Sequence, residues 1–302
     1  MQHETSLRAV DEIARAGSIR GAAEKMAITP SALNRRLLAI EEELDVQLFE
    51  RLASGVRLSA AGELFIVHAR RQLADMKRLR SQIEDLKGAR RGHVQIACDN
   101  SLKPAGSLAR ALSAYQSRYP GVSFGIDVLE ARQIAAHLTQ YRADLGYVLH
   151  PKTDANVSSL ASAPARIAVV TRAGHPLAGR TPLRLEAALA YPVVLAPHGS
   201  LRALLTLAAR AQRLALTPVI EADLAFARQR MTEGEALCFE VDTGLTPDET
   251  DTLVRTPLAA KDIAPSHVHL VQLRDRPLSV AAGRFAEAIK QNFASLSAEG
   301  QG

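Results

Sequence analysis

The stretch Thr29-Pro30-Ser31-Ala32-Leu33-Asn34-Arg35-Arg36-Leu37-Leu38-Ala39-Ile40 decides how the first part of this chain folds. Thr29 before Pro30 is a helix start. An N-cap threonine hydroxyl accepts from an otherwise orphaned amide, and proline at the first helical position loses no donor the helix needs. Leu33, Leu37, Ile40 and Leu44 recur at spacings of 4, 3 and 4. At about 100° per residue they form one apolar face roughly 60° wide, which predicts burial. Ser31, Arg35, Leu38 and Glu42 fall on the opposite side, with Asn34 and Arg36 on the flanks.

Toward the N-terminus, residues 6–16 read as a helix with Leu7, Val10, Ile13 and Ala14 on one face. Gly17 ends it, since glycine meets no Cβ strain at a helix C-terminus. Ser18 caps a short helix carrying Ile19, Ala22, Ala23 and Met26, and the small alanine pair permits close helix approach. Ala27-Ile28-Thr29 is then a tight turn into the helix that starts at Pro30. Two helices joined this way suit the second for the DNA major groove. Arg matches guanine O6/N7, Asn matches adenine N6/N7, and Ser serves base edges or phosphate. N-terminal residues of such a helix touch bases, which favours Ser31, Asn34 and Arg35. Ser18, Thr29, Pro30 and Arg36 complete the candidate set on these helices. Leu38 suits either a thymine methyl or packing against a wing or second copy. An isolated amphipathic helix with outward arginines would more simply be a solvated surface. The wing and the long helix that succeed it in the chain argue otherwise.

Val46-Gln47-Leu48-Phe49-Glu50-Arg51 and Leu52-Ala53-Ser54-Gly55-Val56-Arg57-Leu58 read as a β-wing turning at Ser54-Gly55. Arg51 and Arg57 flank its tip, placed for phosphate or minor-groove contacts. Ser59 then caps a helix to about residue 87, a length of ~42 Å at ~1.5 Å per residue. Ile66, Ala69, Leu73, Met76, Leu79, Ile83 and Leu86 recur along it at 3, 4, 3, 3, 4 and 3. One step breaks a strict heptad. Such a stripe must be buried, by a second copy or by the chain's own C-terminal part.

From His93 the pattern changes. Extended runs at 94–98, 122–129, 145–149, 167–171, 193–196 and 268–273 alternate with helical runs at 102–119, 132–141, 200–214 and 278–293. This alternation predicts an α/β sheet with helices on its faces. Lys87-Gly88-Ala89-Arg90-Arg91-Gly92 reads as a helix stop and hinge.

Of 302 residues, 47% are hydrophobic and 23% charged, an ordinary globular balance. No run approaches the ~18 apolar residues of a membrane span, and Met1-Gln2-His3-Glu4 opens without a secretory pattern. With two cysteines only, Cys98 and Cys238, a disulfide scaffold is excluded and a reducing cytoplasm is expected. The net charge is +5, and residues 1–92 hold 16 Lys and Arg against 13 Asp and Glu. The basic excess is therefore barely concentrated, and placement matters more than totals. Tryptophan is absent and aromatics are 4%, which disfavours a single-strand binder built on stacking. Walker, dinucleotide, nucleophile-elbow and metal-ligand spacings are all missing, so neither an enzyme, a cofactor nor a metal is expected.

Taken together, these stretches resemble the LysR-type transcriptional regulators. The similarity is carried by Gly17-Ser18-Ile19-Arg20-Gly21-Ala22-Ala23, Thr29-Pro30-Ser31-Ala32-Leu33-Asn34-Arg35-Arg36-Leu37, Ile40-Glu41-Glu42-Glu43-Leu44-Asp45, Leu48-Phe49-Glu50-Arg51 and Leu58-Ser59-Ala60-Ala61-Gly62. The family usually has Ser at Asn34 and Gly at Asp45. Further on, Tyr119-Pro120-Gly121-Val122, Arg142-Ala143-Asp144-Leu145-Gly146, Gly174-His175-Pro176-Leu177-Ala178 and Met231-Thr232-Glu233-Gly234-Glu235-Ala236-Leu237 match less specific landmarks. The resemblance implies an α+β and α/β multidomain chain in three parts. Residues 1–58 would form a winged helix-turn-helix and 59–88 a linker helix. Residues 89–302 would form a two-lobed, periplasmic-binding-protein-like effector domain, with lobes of 93–162 plus 266–302 and of 163–265. It implies a bacterial, cytoplasmic regulator of double-stranded DNA that dimerises through the linker helix and often forms tetramers. RNA polymerase is a further candidate partner.

In that fold a small molecule binds between the lobes, at loops after strands and at helix N-termini. Asn100, Ser101, Glu130, His198, Ser200 and Arg202 are the candidate effector residues by position. Ser101 and Ser200 equally suit plain helix caps, Glu130 and Arg202 surface charges, and His198 a turn. The cysteines read as buried, inert thiols.

Overall fold

A computed structural model describes residues 2–86, 91–102, 107–150, 154–223, 226–227, 234–242 and 252–299. The hinge at 87–90, the first turn of the helix expected over 102–119, and Met231-Thr232-Glu233 lie outside the described residues. The chain divides into two compact units, one holding residues 1–87 and the other nearly all of 88–302.

The first unit opens with three helices, α1 Gln2–Ala16, α2 Ile19–Lys25 and α3 Pro30–Leu44. Helix α1 begins four residues earlier than the apolar pattern indicates, because polar residues can extend a helix without joining its buried face. Ser18 Oγ accepts from Gly21 N at 3.1 Å, and Thr29 Oγ1 accepts from Ala32 N at 3.3 Å. Both caps therefore form at the residues that chain chemistry selects. Ala27 and Asp45 adopt left-handed backbone, at φ 53° and 51°. Asp tolerates that conformation better than most residues, which reconciles Asp45 with a position that favours glycine.

Leu7, Val10, Ile13, Ala22, Ala23, Leu33, Leu37 and Ile40 are all buried. Leu44 is not. It stays 45% exposed at the end of α3, where the chain turns away from the core.

Strands β1 Phe49–Leu52 and β2 Gly55–Leu58 form the wing. Leu52 pairs with Gly55, so the two-residue loop is Ala53-Ser54 and the Ser54-Gly55 reading is corrected by one residue. Gly55 is needed for a different reason. A Cβ there would lie 2.3 Å from Gly17 O at φ +140°, and Val56 N donates to that same carbonyl at 2.8 Å. The glycine lets the wing seat on the turn between α1 and α2. Helix α4 Ala60–Leu86 comes next. Ser59 caps it by accepting from Gly62 N at 3.0 Å while donating to Gln47 O at 2.7 Å.

The apolar stripe of α4 divides. Ile66 and Ala69 are buried, and Ile66 joins the core of this unit, whereas Met76, Leu79 and Ile83 remain exposed. Charge fastens the same helix to α1: Arg70 Nε donates to Asp11 at 2.6 Å, and Arg80 donates to both carboxylate oxygens of Glu4 at 2.9 and 2.6 Å.

The second unit is built on a nine-stranded sheet ordered β4-β3-β5-β11-β6-β9-β7-β8, with β10 also on β6. Its first half holds β3 Gly92–Asp99, β4 Val122–Leu129, β5 Leu145–Leu149 and β11 Ser266–Leu273. Its second half holds β7 Val193–Leu195, β8 Ile220–Glu221, β9 Leu237–Asp242 and β10 Leu253–Pro257. The 16-residue strand β6 Val157–Arg172 belongs to both. It pairs with β11 up to Ala165 and with β9 from Arg166. The run expected at 167–171 is only the buried end of this strand. Its earlier residues are mostly small or polar and carry no strong apolar signal.

Helices α5 Ser107–Arg118, α6 Ala131–Thr139 and α9 Val280–Glu299 cover the first half, and α7 Leu185–Leu189 and α8 Ser200–Ala211 the second. The helix expected over 132–141 stops at Thr139, since Tyr141 is left-handed at φ 57°. The helix expected over 200–214 stops at Ala211, with Arg213 left-handed at φ 58°.

Replacing Gly55 by Ala is expected to cost about 1–3 kcal/mol through backbone strain and the clash with Gly17. The first thermal transition of the full chain, followed by circular dichroism, should fall accordingly. An unchanged profile would show that the wing does not need this close approach.

Candidate nucleic-acid interface and effector cleft

The outward face of α3 is formed by Ser31, Arg35 and Leu38, all exposed, with Leu38 47% accessible. Asn34 and Arg36 are half-buried on its flanks. Arg35 has no ion-pair partner among the described residues. The Ser31 hydroxyl lies 3.2 Å from Thr29 Oγ1, so the helix start presents two coupled hydroxyls beside Pro30. Asn34 Oδ1 is buried with no hydrogen-bond partner.

In the wing, Arg51 and Arg57 are both exposed but not equivalent. Arg57 sits directly across from Glu50 in the strand pair and donates to its carboxylate at 2.5 Å. That hydrogen bond raises the guanidinium pKa further above its ordinary value. Arg51 has no such partner among the described residues and is the better placed of the two to meet a phosphate. Ser18 lies half-buried at the start of α2, its hydroxyl committed to the cap.

Glu41 is a residue that sequence reasoning passed over. Its Oε1 accepts from Leu48 N at 2.7 Å and from Phe49 N at 3.3 Å. One carboxylate thus fixes the chain entering the wing to the back of α3. The only signal was its place in an acidic run, which reads as a solvated face.

In the second unit, the turn after β3, the end of β7 and the start of α8 border one cleft. A cavity of about 80 Å³ lies there. Asn100, Ser101, His198 and Arg202 line it, together with a wall that includes Val194, Leu195, Leu201, Cys238 and Phe239. Four of the six candidate effector residues therefore meet at one place. Ser200 and Glu130 do not line it. Ser200 donates its hydroxyl to Asp99 Oδ2 at 2.8 Å. Glu130 is ion-paired to Arg132 at 2.6 Å, which lowers its pKa below the usual carboxylate value, with His198 adding a smaller effect.

The hydroxyl of Ser101 accepts from Leu201 N at 3.1 Å, so this serine caps α8 from across the cleft. Arg202 donates to Ala196 O at 3.0 Å and pairs with Glu221 at 2.7 Å.

Asp99, also missed in the sequence, is wholly buried at the end of β3. It accepts from Ser101 N at 2.8 Å, Leu149 N at 3.2 Å and the Ser200 hydroxyl. Burial pushes its pKa above the ordinary value, while these donors pull it back.

Cys98, also buried, has its thiol pushed up to about 12 by desolvation and then by the neighbouring Asp99 charge. A thiol held protonated in this way is a poor nucleophile and a poor oxidant sensor. No group of His, Cys, Asp or Glu among the described residues is arranged to hold a metal ion, and no described helix is long and apolar enough to cross a membrane.

A winged helix-turn-helix with arginines on its outward faces, and a two-halved α/β domain with a cleft at its strand ends, define the class: one chain that joins a DNA-reading head to a ligand-binding domain. Residues 5–63 match the bacterial regulatory helix-turn-helix proteins of the lysR family, and residues 87–294 match the LysR substrate binding domain. The chain belongs to the LysR-type transcriptional regulators. The RuBisCO operon transcriptional regulator of Allochromatium vinosum is 26% identical over 194 residues, 64% of each chain. The chain thus spans under two thirds of the length of the curated relatives it matches first.

Among solved structures, a full-length OxyR variant from Pseudomonas aeruginosa is similar with a TM-score of 0.67 at 17% identity, covering 95% of this chain and 97% of that one. Full-length CbnR in complex with its target DNA is similar with a TM-score of 0.65 at 18% identity, covering 95% and 99%. These likenesses are of fold.

Glu41→Ala is expected to destabilise the first unit by about 1–3 kcal/mol by orphaning two amides. Glu41→Gln should recover most of that, because its amide oxygen can still accept. Equal losses in the two variants, measured by urea denaturation, would mean the carboxylate charge matters rather than the two hydrogen bonds.

Proposed function

We propose that this protein is a cytoplasmic, effector-responsive regulator that binds a two-fold-related site on double-stranded DNA as a homodimer. The observation that carries the reading is the outward face of α3, where Ser31 and Arg35 stand exposed on a helix whose other face is locked into the core. Arg35 and Asn34 are assigned to base edges, and Ser31 to base or phosphate. Thr29, Pro30 and Ser18 set the helix starts beside the phosphate backbone. Arg51 contacts phosphate, Arg36 and Arg57 add flanking charge, and Arg57 must first exchange Glu50 for its new partner.

The exposed side chains Met76, Leu79 and Ile83 on α4 support self-association. They fall within about 60° of one another around the helix and need a partner surface. A dimer would present two reading helices to two half-sites, and a pair of dimers would give the tetramer. The cavity of the second unit takes the effector, with Asn100, Ser101, His198 and Arg202 at its wall, while Ser200 acts from behind it through Asp99 and Glu130 through the charge it presents to His198. An effector that binds one arrangement of the lobes better than another shifts the equilibrium between them, and with it DNA affinity or geometry.

Arg35→Ala should weaken operator binding by about 1–3 kcal/mol and blur discrimination against random DNA. Arg51→Ala should weaken both about equally and flatten the dependence of affinity on salt. Fluorescence anisotropy on both duplexes over a salt series separates the two. Unchanged discrimination removes Arg35 from the bases, and an unchanged slope removes Arg51 from the phosphates. Leu79→Asp should dissociate the dimer in sedimentation velocity at micromolar concentration, and an intact dimer would refute the α4 seam.

A further inference from the structure

Resting on the reading of this cleft as the effector site, we infer that Asp99 fills its anion-binding end from within the chain. The effector is then a small uncharged molecule rather than a carboxylate or phosphate. Donors from both halves of the domain converge at this point. Ser101 N at 2.8 Å and Leu149 N at 3.2 Å come from the first half, and the Ser200 hydroxyl at 2.8 Å comes from the second. Ser200 opens α8, a 12-residue helix whose N-terminus carries partial positive charge. Oriented amides, a hydroxyl and a helix start make an anion site. Here the anion is a side chain, wholly buried, and the donors are already engaged by it.

The geometry leaves no room for a second one. Leu201 N is taken by the Ser101 hydroxyl at 3.1 Å. Gly199 passes so close to the turn after β3 that a Cβ would lie 2.7 Å from Ser101 Oγ and 2.9 Å from Asn100 Oδ1. The wall of the remaining cavity is mainly apolar. The arginine at its wall, Arg202, is neutralised by Glu221 at 2.7 Å, and a further carboxylate, Asp223, faces the space. An entering anion would lose its hydration in a mainly apolar space, with the Asp223 carboxylate at its wall and the buried Asp99 carboxylate close behind Ser101. A neutral molecule incurs none of these penalties.

The test is chemical rescue in the full-length protein, with acetate as the probe because it is the group that Asp99→Ala removes. The wild-type protein should show no saturable rise in melting temperature with acetate beyond that given by equal chloride. Asp99→Ala should melt lower and recover saturably with acetate but not with acetamide. Loss of that recovery in Asp99→Ala combined with Ser200→Ala would locate the site. Saturable stabilisation of the wild type by acetate, abolished by Ser200→Ala, would overturn the inference, as would an Asp99→Ala protein indifferent to acetate. Should Asp99→Ala fail to fold, the wild-type arm decides by itself, since an open anion site would bind acetate there. DNA affinity measured on the same samples separates the two readings. Rescue of stability without any change in DNA affinity would leave Asp99 in its role and refute the coupling of this cleft to the DNA-reading head.

Discussion

The 16-residue strand β6 is the constraint on which the effector domain depends. It gives its first nine residues to one half of the sheet and its last seven to the other, changing partner between Ala165 and Arg166. Because a strand must satisfy its backbone groups on both sides, both halves are tied to one continuous ladder. The turn after β3 and the start of α8 can then meet. Asp99, Ser101, Ser200 and Leu201 form a closed set of hydrogen bonds across that meeting point, and these bonds shape the cavity beside them.

The DNA-reading head is held differently. Its core is small, so local devices fix each junction: three N-caps, two left-handed turns, a glycine seated on a carbonyl, and the Glu41 carboxylate on two amides. These contacts engage polar groups on the inner side and leave the outer face of α3 free. The arginines there differ by what holds them. Arg57 is engaged by Glu50, whereas Arg35 and Arg51 are held by no ion pair among the described residues. In the proposed mode of binding, affinity and specificity fall to separate side chains, because phosphate contacts and base-edge contacts make different geometric demands.

Seven apolar positions along α4 read as one seam, yet Ile66 and Ala69 are buried within the head while Met76, Leu79 and Ile83 stay exposed. Periodicity reports that a face wants burial; it does not report what buries it. The same limit explains the effector domain. Strands β8, β9 and β10 were not separated in the sequence, since short buried strands lack a period long enough to distinguish them. Asp99 was passed over because a lone Asp at a strand end usually faces water.

Thr29-Pro30 and the face opposite Leu33, Leu37 and Ile40 were legible in the sequence alone, and with them the reading helix, its caps and its family. Local backbone chemistry and helical period act over a few residues, so the chain order carries them. The tertiary structure decided what lies far apart in sequence. It committed Ser101 and Ser200 to the joint between the two halves, bound Arg202 to Glu221, paired Arg57 with Glu50 and buried one oxygen of Asn34. Whether a polar side chain is free to meet a ligand depends on which neighbours satisfy it first, and those neighbours are brought together only by the fold.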